Sequence, residues 1–261
     1  MAHDFAREHD GRFLLRIEDI DPGRARAAFV DAIKQDLEWL GIGWDGEVIV
    51  QSERLPLYAA ALDRLKAAGL VYPCFCTRAE IAASAAAPHG TDGPVYPGTC
   101  RTLDPAIRAA RMAADPHAWR LDMAKAVAVA GPLEWFDLDA GVISARPETQ
   151  GDVVLARKDA PVSYHLAVTV DDAAQGVSHV IRGRDLFEAT HIHRLLQALL
   201  GLPSPIWRHH PLLAGADGRR LAKREGAPSI AGLRESGIDP ARLVDDLRNR
   251  GEALGFRPAS A

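Results

Sequence analysis

The sequence predicts an α/β protein in which a parallel sheet with flanking helices is interrupted by a metal-bearing insertion. Three observations carry this prediction. Short apolar runs that end in polar residues alternate with longer stretches of helical period, the pattern of strands and helices in turn. The chain's three cysteines, Cys74, Cys76 and Cys100, fall in one short region. Finally, 261 residues, 48% of them apolar and 25% charged, suffice to bury one large core with an inserted or appended unit.

Taken in order, residues 2–9 read as the end of a helix, Asp10-Gly11 as a turn, and residues 12–17 as a short buried strand. Glu18, Asp19 and Asp21 follow at once. In an open parallel sheet, polar residues just beyond the carboxyl end of a strand face the ligand crevice, which makes Glu18 the functional candidate. Acids there serve equally to start the next helix, and Asp21-Pro22 fits a cap followed by proline at the first helical position. Phe29, Ile33, Leu37 and Leu40 then recur at helical spacing up to Gly41. A second helix is expected over residues 57–68, with Leu62 and Leu65 inward and Gly69 as its stop.

Residues 82–93 are rich in Ala, Gly and Ser without apolar period and read as an extended excursion. Residues 102–114 read as a helix and residues 119–143 as short strands and turns. Residues 151–157 form a strand-like run, whereas Tyr164-His-Leu-Ala-Val-Thr-Val-Asp171-Asp172 is apolar without a decisive period, leaving strand and helix open. Val180-Ile181 is expected as a buried strand with Arg182-Gly183 at its polar carboxyl end. A helix carrying Ile192, Leu195, Leu196, Leu199 and Leu200 follows, stopped by Gly201 and Pro203. Beyond it, Asp217-Gly218 marks a turn before a basic loop.

No apolar stretch is long enough to span a membrane, and the first nine residues lack the apolar segment of a secretory signal. The cytoplasm is the expected compartment, with no membrane partner. The net charge of -4 gives no general pull toward nucleic acid, so a polyanionic partner needs a local basic surface. Arg208, His209, His210, Arg219, Arg220, Lys223 and Arg224, with Asp217 as the only carboxylate among them, supply one; a solvated loop explains the same charges.

Cys74 and Cys76 are too close in sequence for an unstrained disulfide, but two neighbouring thiolates and a later third converge readily on one zinc ion. Tyr96 is the nearest candidate for the fourth ligand, because a divalent cation lowers the pKa of its own ligands and makes a phenolate plausible. Three small buried hydrophobes would give the same sequence. Arg182, directly after a strand, suits a carboxylate that its planar fork meets with two parallel hydrogen bonds; an ion pair with Asp185 is the other account.

Four separated motifs carry a resemblance. Arg16-Ile-Glu-Asp-Ile-Asp-Pro-Gly-Arg24, Cys74-Phe-Cys76 followed by Tyr96-Pro-Gly-Thr-Cys100, Tyr164-His-Leu-Ala-Val168 with Asp171-Asp172, and His179-Val-Ile-Arg-Gly-Arg-Asp185 occur in the order of the class I glutamyl-tRNA synthetase catalytic core. Over residues 2 to about 230 the chain most closely resembles the shortened paralogue family, the glutamyl-Q tRNA(Asp) synthetases. The resemblance implies a class I aminoacyl-tRNA synthetase-like nucleotide-binding parallel sheet and a cytoplasmic monomer. Its implied reaction is activation of glutamate with ATP and Mg2+ and transfer to the queuosine of tRNA(Asp). Glu18, Tyr164 and Arg182 would hold glutamate, and Lys223, in a KMSKS-type loop, the ATP phosphates. Cys74, Cys76, Tyr96 and Cys100 would hold a structural Zn2+.

That loop, Arg220-Leu-Ala-Lys-Arg224, departs from the family in having Arg at the first lysine position and Ala for Ser, and the spacer from Cys76 to Tyr96 is longer than usual. The sequence also starts just after the family's Pro-Ser-Pro-Thr-Gly, His-x-Gly-His segment. The sheet is therefore expected to lack its first strand, and activity of the chain as it stands is in doubt. The expected organisation is a first part of the core over residues 1–73, a zinc-bearing insertion and connective segment over 74–149, a second part of the core over 150–230, and a helical tail over 231–261. A conventional glutamyl-tRNA synthetase fragment and a non-catalytic tRNA- or zinc-binding remnant are the alternatives.

Overall fold

In the computed structural model, which describes residues 1–21, 23, 25–77, 79–81, 89–90, 93–214, 229–248 and 257–258, the chain opens on helix α1 (Ala2–Glu8). Asp10 turns it with φ 51, a left-handed conformation that a short polar side chain tolerates. Of the strand expected over residues 12–17, only β1 (Arg16–Ile17) forms. The reason is Asp45: its amide donates to the Phe13 carbonyl at 2.7 Å and its carboxylate accepts from the Phe13 N–H at 2.8 Å, so a side chain replaces the ladder. Helix α2 (Ala27–Trp39) ends at Gly41 as expected, but it does not start at Asp21. The Asp21 carboxylate accepts from the Gly23 N–H at 3.1 Å within a local turn, and the helix begins at Ala27 without a side-chain cap. Phe29 and Ile33, two of the apolar residues at helical spacing, remain 46% and 44% exposed.

Strand β2 (Ile49–Val50) lies parallel to β1. Helix α3 (Leu55–Ala67) buries Tyr58, Ala61, Leu62 and Leu65, one face at helical spacing. It closes with the Gly69 N–H on the Lys66 carbonyl (2.9 Å) and the Leu70 N–H on the Leu65 carbonyl (3.0 Å), a paired closure that needs the positive φ of Gly69. Next come β3 (Val71–Cys74), the short pair β4 (His89–Gly90) and β5 (Gly93–Pro94), and α4 (Pro105–Ala114), whose cap Asp104 accepts from two backbone N–H groups. The region expected as strands and turns holds β6 (Ala118–Leu121), β7 (Glu134–Asp137) and β8 (Gly141–Ser144), but also helix α5 (Met123–Ala130), capped by Asp122.

After β9 (Val154–Ala156), the ambiguous stretch resolves as helix α6 (Tyr164–Ala174), with the Ser163 side chain at its cap. Then follow β10 (His179–Gly183), which is only partly buried, α7 (Phe187–Leu200), β11 (Ile206–His210), β12 (Leu213–Ala214), α8 (Ile230–Glu235), α9 (Pro240–Arg248) and β13 (Arg257–Pro258).

Two compact units result. The first comprises residues 1–50, 181–185 and 209–261, and the second residues 51–180 and 186–208. Within the first, β1 pairs with β2, Arg234 of α8 meets Asp36 of α2 at 2.7 Å, and Arg248 of α9 meets Asp4 of α1 at 2.7 Å. The second holds an antiparallel sheet in the order β3-β6-β9 and a mixed sheet in the order β10-β11-β7-β8. The N-terminal residues of β10 and β11 count with this unit and their C-terminal residues with the first. Strand β11 runs parallel to β7, and β8 antiparallel to it. The fold is thus α/β, with one parallel strand pair, β1-β2, and another inside the mixed sheet, β11-β7.

Helices α3, α6 and α7 pack on one another in the second unit. Leu166, Ile192, Leu195 and Leu196 are wholly buried there, each worth about 1.5–3 kcal/mol of burial. Among them sits one carboxylate. Asp171 of α6 is 0% exposed and accepts from Arg54 Nε (2.8 Å), Gln51 Nε2 (2.9 Å) and the Tyr58 hydroxyl (2.7 Å). Asp171→Asn turns an amide donor toward these donors and should cost about 2–4 kcal/mol, read as a lower denaturant midpoint. Asp63→Asn, which removes only an exposed pair with Lys66, should leave the midpoint in place.

Candidate functional site

The cysteine region forms the best-defined constellation. Strand β3 delivers Cys74 and the chain leaving it Cys76, while the loop before α4 returns Tyr96 and Cys100. The three sulfurs lie within 4.8 Å of one another. Cys76 Sγ is 3.5 Å from both Cys100 Sγ and the Tyr96 hydroxyl. A tetrahedral zinc has Zn–S near 2.3 Å and Zn–O near 2.1 Å, so its ligand-to-ligand edges are roughly 3.6–3.8 Å, and the two 3.5 Å separations at Cys76 come close to that figure.

Their chemistry fits as well. Burial pushes the Cys76 thiol up to about 11, and burial together with hydrogen bonds to the cysteines pushes the Tyr96 phenol above its usual range. Cys100 feels the same burial, but hydrogen bonds from Tyr96, the Phe75 N–H and Cys76 outweigh it and lower its pKa. A divalent cation is the natural means of letting the whole set ionise. The Cys100 N–H, 2.8 Å from the Tyr96 oxygen, favours a phenolate, and the Arg120 guanidinium lies 3.9 Å from the Tyr96 ring centre.

A buttress that the sequence did not suggest supports this loop. Asp152, buried, accepts from the Tyr72 hydroxyl (2.5 Å), Arg101 (3.2 Å) and the Met123 N–H (3.0 Å). Gly151 beside it has φ 63, and a Cβ there would sit 2.5 Å from Val95 Cγ1. The adjoining cleft of about 290 Å³ is lined by Tyr96, Arg101, Glu148 and Asp152 among others.

Of the residues assigned to glutamate, Glu18 and Arg182 belong to the first unit and Tyr164 to the second. Glu18 follows β1, is exposed, and pairs with Arg16 at 3.4 Å. Arg182 is the last but one residue of β10, half-buried, and its Nε donates to His209 Nε2 at 3.2 Å; Arg184 is exposed. Tyr164 opens α6, with its ring against His165 and His193, whose nitrogens are 3.2 Å apart. Lys223 and the rest of its loop lie outside the described residues.

Several polar residues around these positions escaped the sequence reading. Gln51, Arg54 and Tyr58 converge on Asp171; the polar run Gln51-Ser-Glu-Arg54 just ahead of an apolar helix was the available signal. The expected basic surface is less uniform than its charges suggest: His209 is buried, and Arg208 meets Asp139 at 3.1 Å. His191 is buried too, accepting at Nδ1 from Trp135 Nε1 and the Arg146 N–H (3.2 Å each). That leaves its proton on Nε2, and burial holds its pKa below the usual histidine range.

Residues 1–255 match the family model of the class I tRNA synthetases (E and Q), catalytic domain. The chain belongs to this family and is an aminoacyl-tRNA synthetase-type ligase. Its similarity reaches a particular branch. It is 50% identical to the glutamyl-Q tRNA(Asp) synthetase of Rhodobacter capsulatus, over 93% of this chain and 90% of that protein. It is 46% identical to that of Symbiobacterium thermophilum, over 93% and 77%. Among solved structures, the glutamate-tRNA synthetase of Elizabethkingia anophelis superposes with a TM-score of 0.78 at 25% identity, covering 96% of this chain. A glutamate tRNA ligase from Elizabethkingia meningosepticum, in complex with its amino acid, gives 0.75 at 25% identity, covering 93%. The chain spans 57% and 55% of the length of those two proteins.

Proposed function

We propose that this ligase activates glutamate with ATP and transfers it to the queuosine of tRNA(Asp), in the cytoplasm and as a monomer. The observation that carries the reading is the contrast in identity: 50% to a glutamyl-Q tRNA(Asp) synthetase over nearly its whole length, against 25% to the glutamate-tRNA ligases. In the first step a glutamate carboxylate oxygen attacks the α-phosphorus of ATP, and the bond to pyrophosphate breaks. In the second a queuosine hydroxyl attacks the adenylate carbonyl, forming an ester and releasing AMP.

This chain's residues contribute binding and charge. Glu18 receives the ammonium group of glutamate. Arg182 offers its guanidinium to a carboxylate, and Tyr164 completes the amino-acid contacts. Lys223 neutralises phosphate charge. Positioning of this kind supplies much of the acceleration of such a displacement. Magnesium, when bound with ATP, supplies further charge neutralisation on the phosphates. Zinc on Cys74, Cys76, Tyr96 and Cys100 is structural, joining the end of β3 to the loop before α4.

Pyrophosphate exchange, measured on this chain and on the chain extended upstream of Met1, should depend on glutamate. Its absence from both with folding intact would refute the enzyme reading and leave a tRNA- or zinc-binding remnant. Arg182→Ala should raise the glutamate KM by tenfold or more and Arg184→Ala by less than about threefold; equal effects would count against the choice of arginine.

A conventional glutamyl-tRNA ligase is the second reading, favoured by the solved structures. Labelled glutamate that stays on a tRNA(Asp) whose 3' end has been removed supports the queuosine reading; label lost with the 3' end supports the other.

Elemental analysis should find about one zinc per chain, and Cys100→Ser should lower both zinc content and thermal midpoint. A zinc-free protein of unchanged midpoint after growth in zinc would remove the metal from the account.

A further inference from the structure

The mechanism above gives no role to His209, a buried imidazole 6% exposed at the carboxyl end of β11. Strands β10 and β11 are neighbours in the sheet, and their starts meet where the Ile206 N–H donates to the Ser178 carbonyl at 2.9 Å. They therefore run the same way, and Arg182 and His209 occupy the same place, last but one, on each. There the guanidinium Nε–H donates to His209 Nε2 at 3.2 Å. A ring nitrogen that accepts from a guanidinium bears no proton, so the imidazole is neutral with its hydrogen on Nδ1.

The bond divides the labour of the arginine. A guanidinium presents two edges to a planar anion, one through Nε and one through its two terminal nitrogens. With the Nε edge committed to His209, a carboxylate is met through the terminal pair. The ring also limits rotation of a long side chain that would otherwise lose several rotamers on binding. The geometry points to His209 as the positioning residue that sets the orientation of Arg182 and thereby the affinity and selectivity for the substrate carboxylate. This rests on the reading of Arg182 as a glutamate contact.

The test compares three variants with Arg182→Ala in glutamate-dependent pyrophosphate exchange. His209→Gln keeps an acceptor near the Nε2 position; His209→Phe removes it; His209→Asn is small and polar but too short to reach. Phe and Asn should raise the glutamate KM about tenfold, with the ATP KM within twofold, and should weaken discrimination against glutamine. Gln should recover most of the loss. A role in packing alone would lower thermal midpoints without separating the two KM values or being rescued by Gln.

Unchanged glutamate KM in folded Phe or Asn variants, while Arg182→Ala raises it, overturns the role of His209 and leaves Arg182 standing. If Arg182→Ala itself leaves glutamate KM unchanged, the reading of Arg182 falls, and this inference with it. Independently of activity, nitrogen chemical shifts of the His209 ring should show the Nδ1–H tautomer. A proton on Nε2 would overturn the assignment.

Discussion

The carboxylate of Asp171 is buried completely, and three donors from one short stretch of chain are aimed at it, which offsets the cost of taking such a group out of water. Gln51 and Arg54 precede α3 and Tyr58 lies in its first turns, while Asp171 lies in α6. Hydrophobic packing alone would let α3 and α6 slide by a turn at small cost, since one leucine resembles the next. A directional anion with three fixed partners defines one register. Tyr164 begins the same helix two turns earlier, so the register set at Asp171 is also what places its ring.

The cysteine constellation shows the same logic at a loop. Its four side chains come from two segments separated by residues that, among those described, form one helical turn over 79–81 and a short strand pair. Little apolar surface is available there: Tyr72, Cys74, Phe75, Tyr96 and Cys100 make a small cluster of their own. A tie of high local strength suits such a segment better than burial does, and Asp152 with Tyr72 and Arg101 supplies part of it without any ion.

How much of this was legible follows from what each segment buries. Helix α3 was readable because it buries one face, and α7 because Ile192, Leu195, Leu196, Leu199 and Leu200 recur at helical spacing; each stops at a glycine of positive φ. Helix α5 was missed because alanine, which dominates it, favours the helix without marking a face. Helix α6 stayed ambiguous for the opposite reason: Leu166 to Asp171 are all buried, and a segment covered on every side has no period to read. The clustered cysteines pointed to one another through their spacing, and the structure brings them together. The partners of Asp171 and the position of His209 were illegible because they depend on contacts distant in sequence, and because His209 sits in a run whose charge suggested solvent.

Gly151 carries a quieter consequence. It offers no sulfur, oxygen or nitrogen side chain, yet the chain crosses so close to Val95 that a single methyl there would press on the residue next to Tyr96. The arrangement of the thiols and phenol thus depends partly on a hydrogen atom in place of a carbon, and a comparison of sequences that scored only sulfur, oxygen and nitrogen side chains would overlook the position.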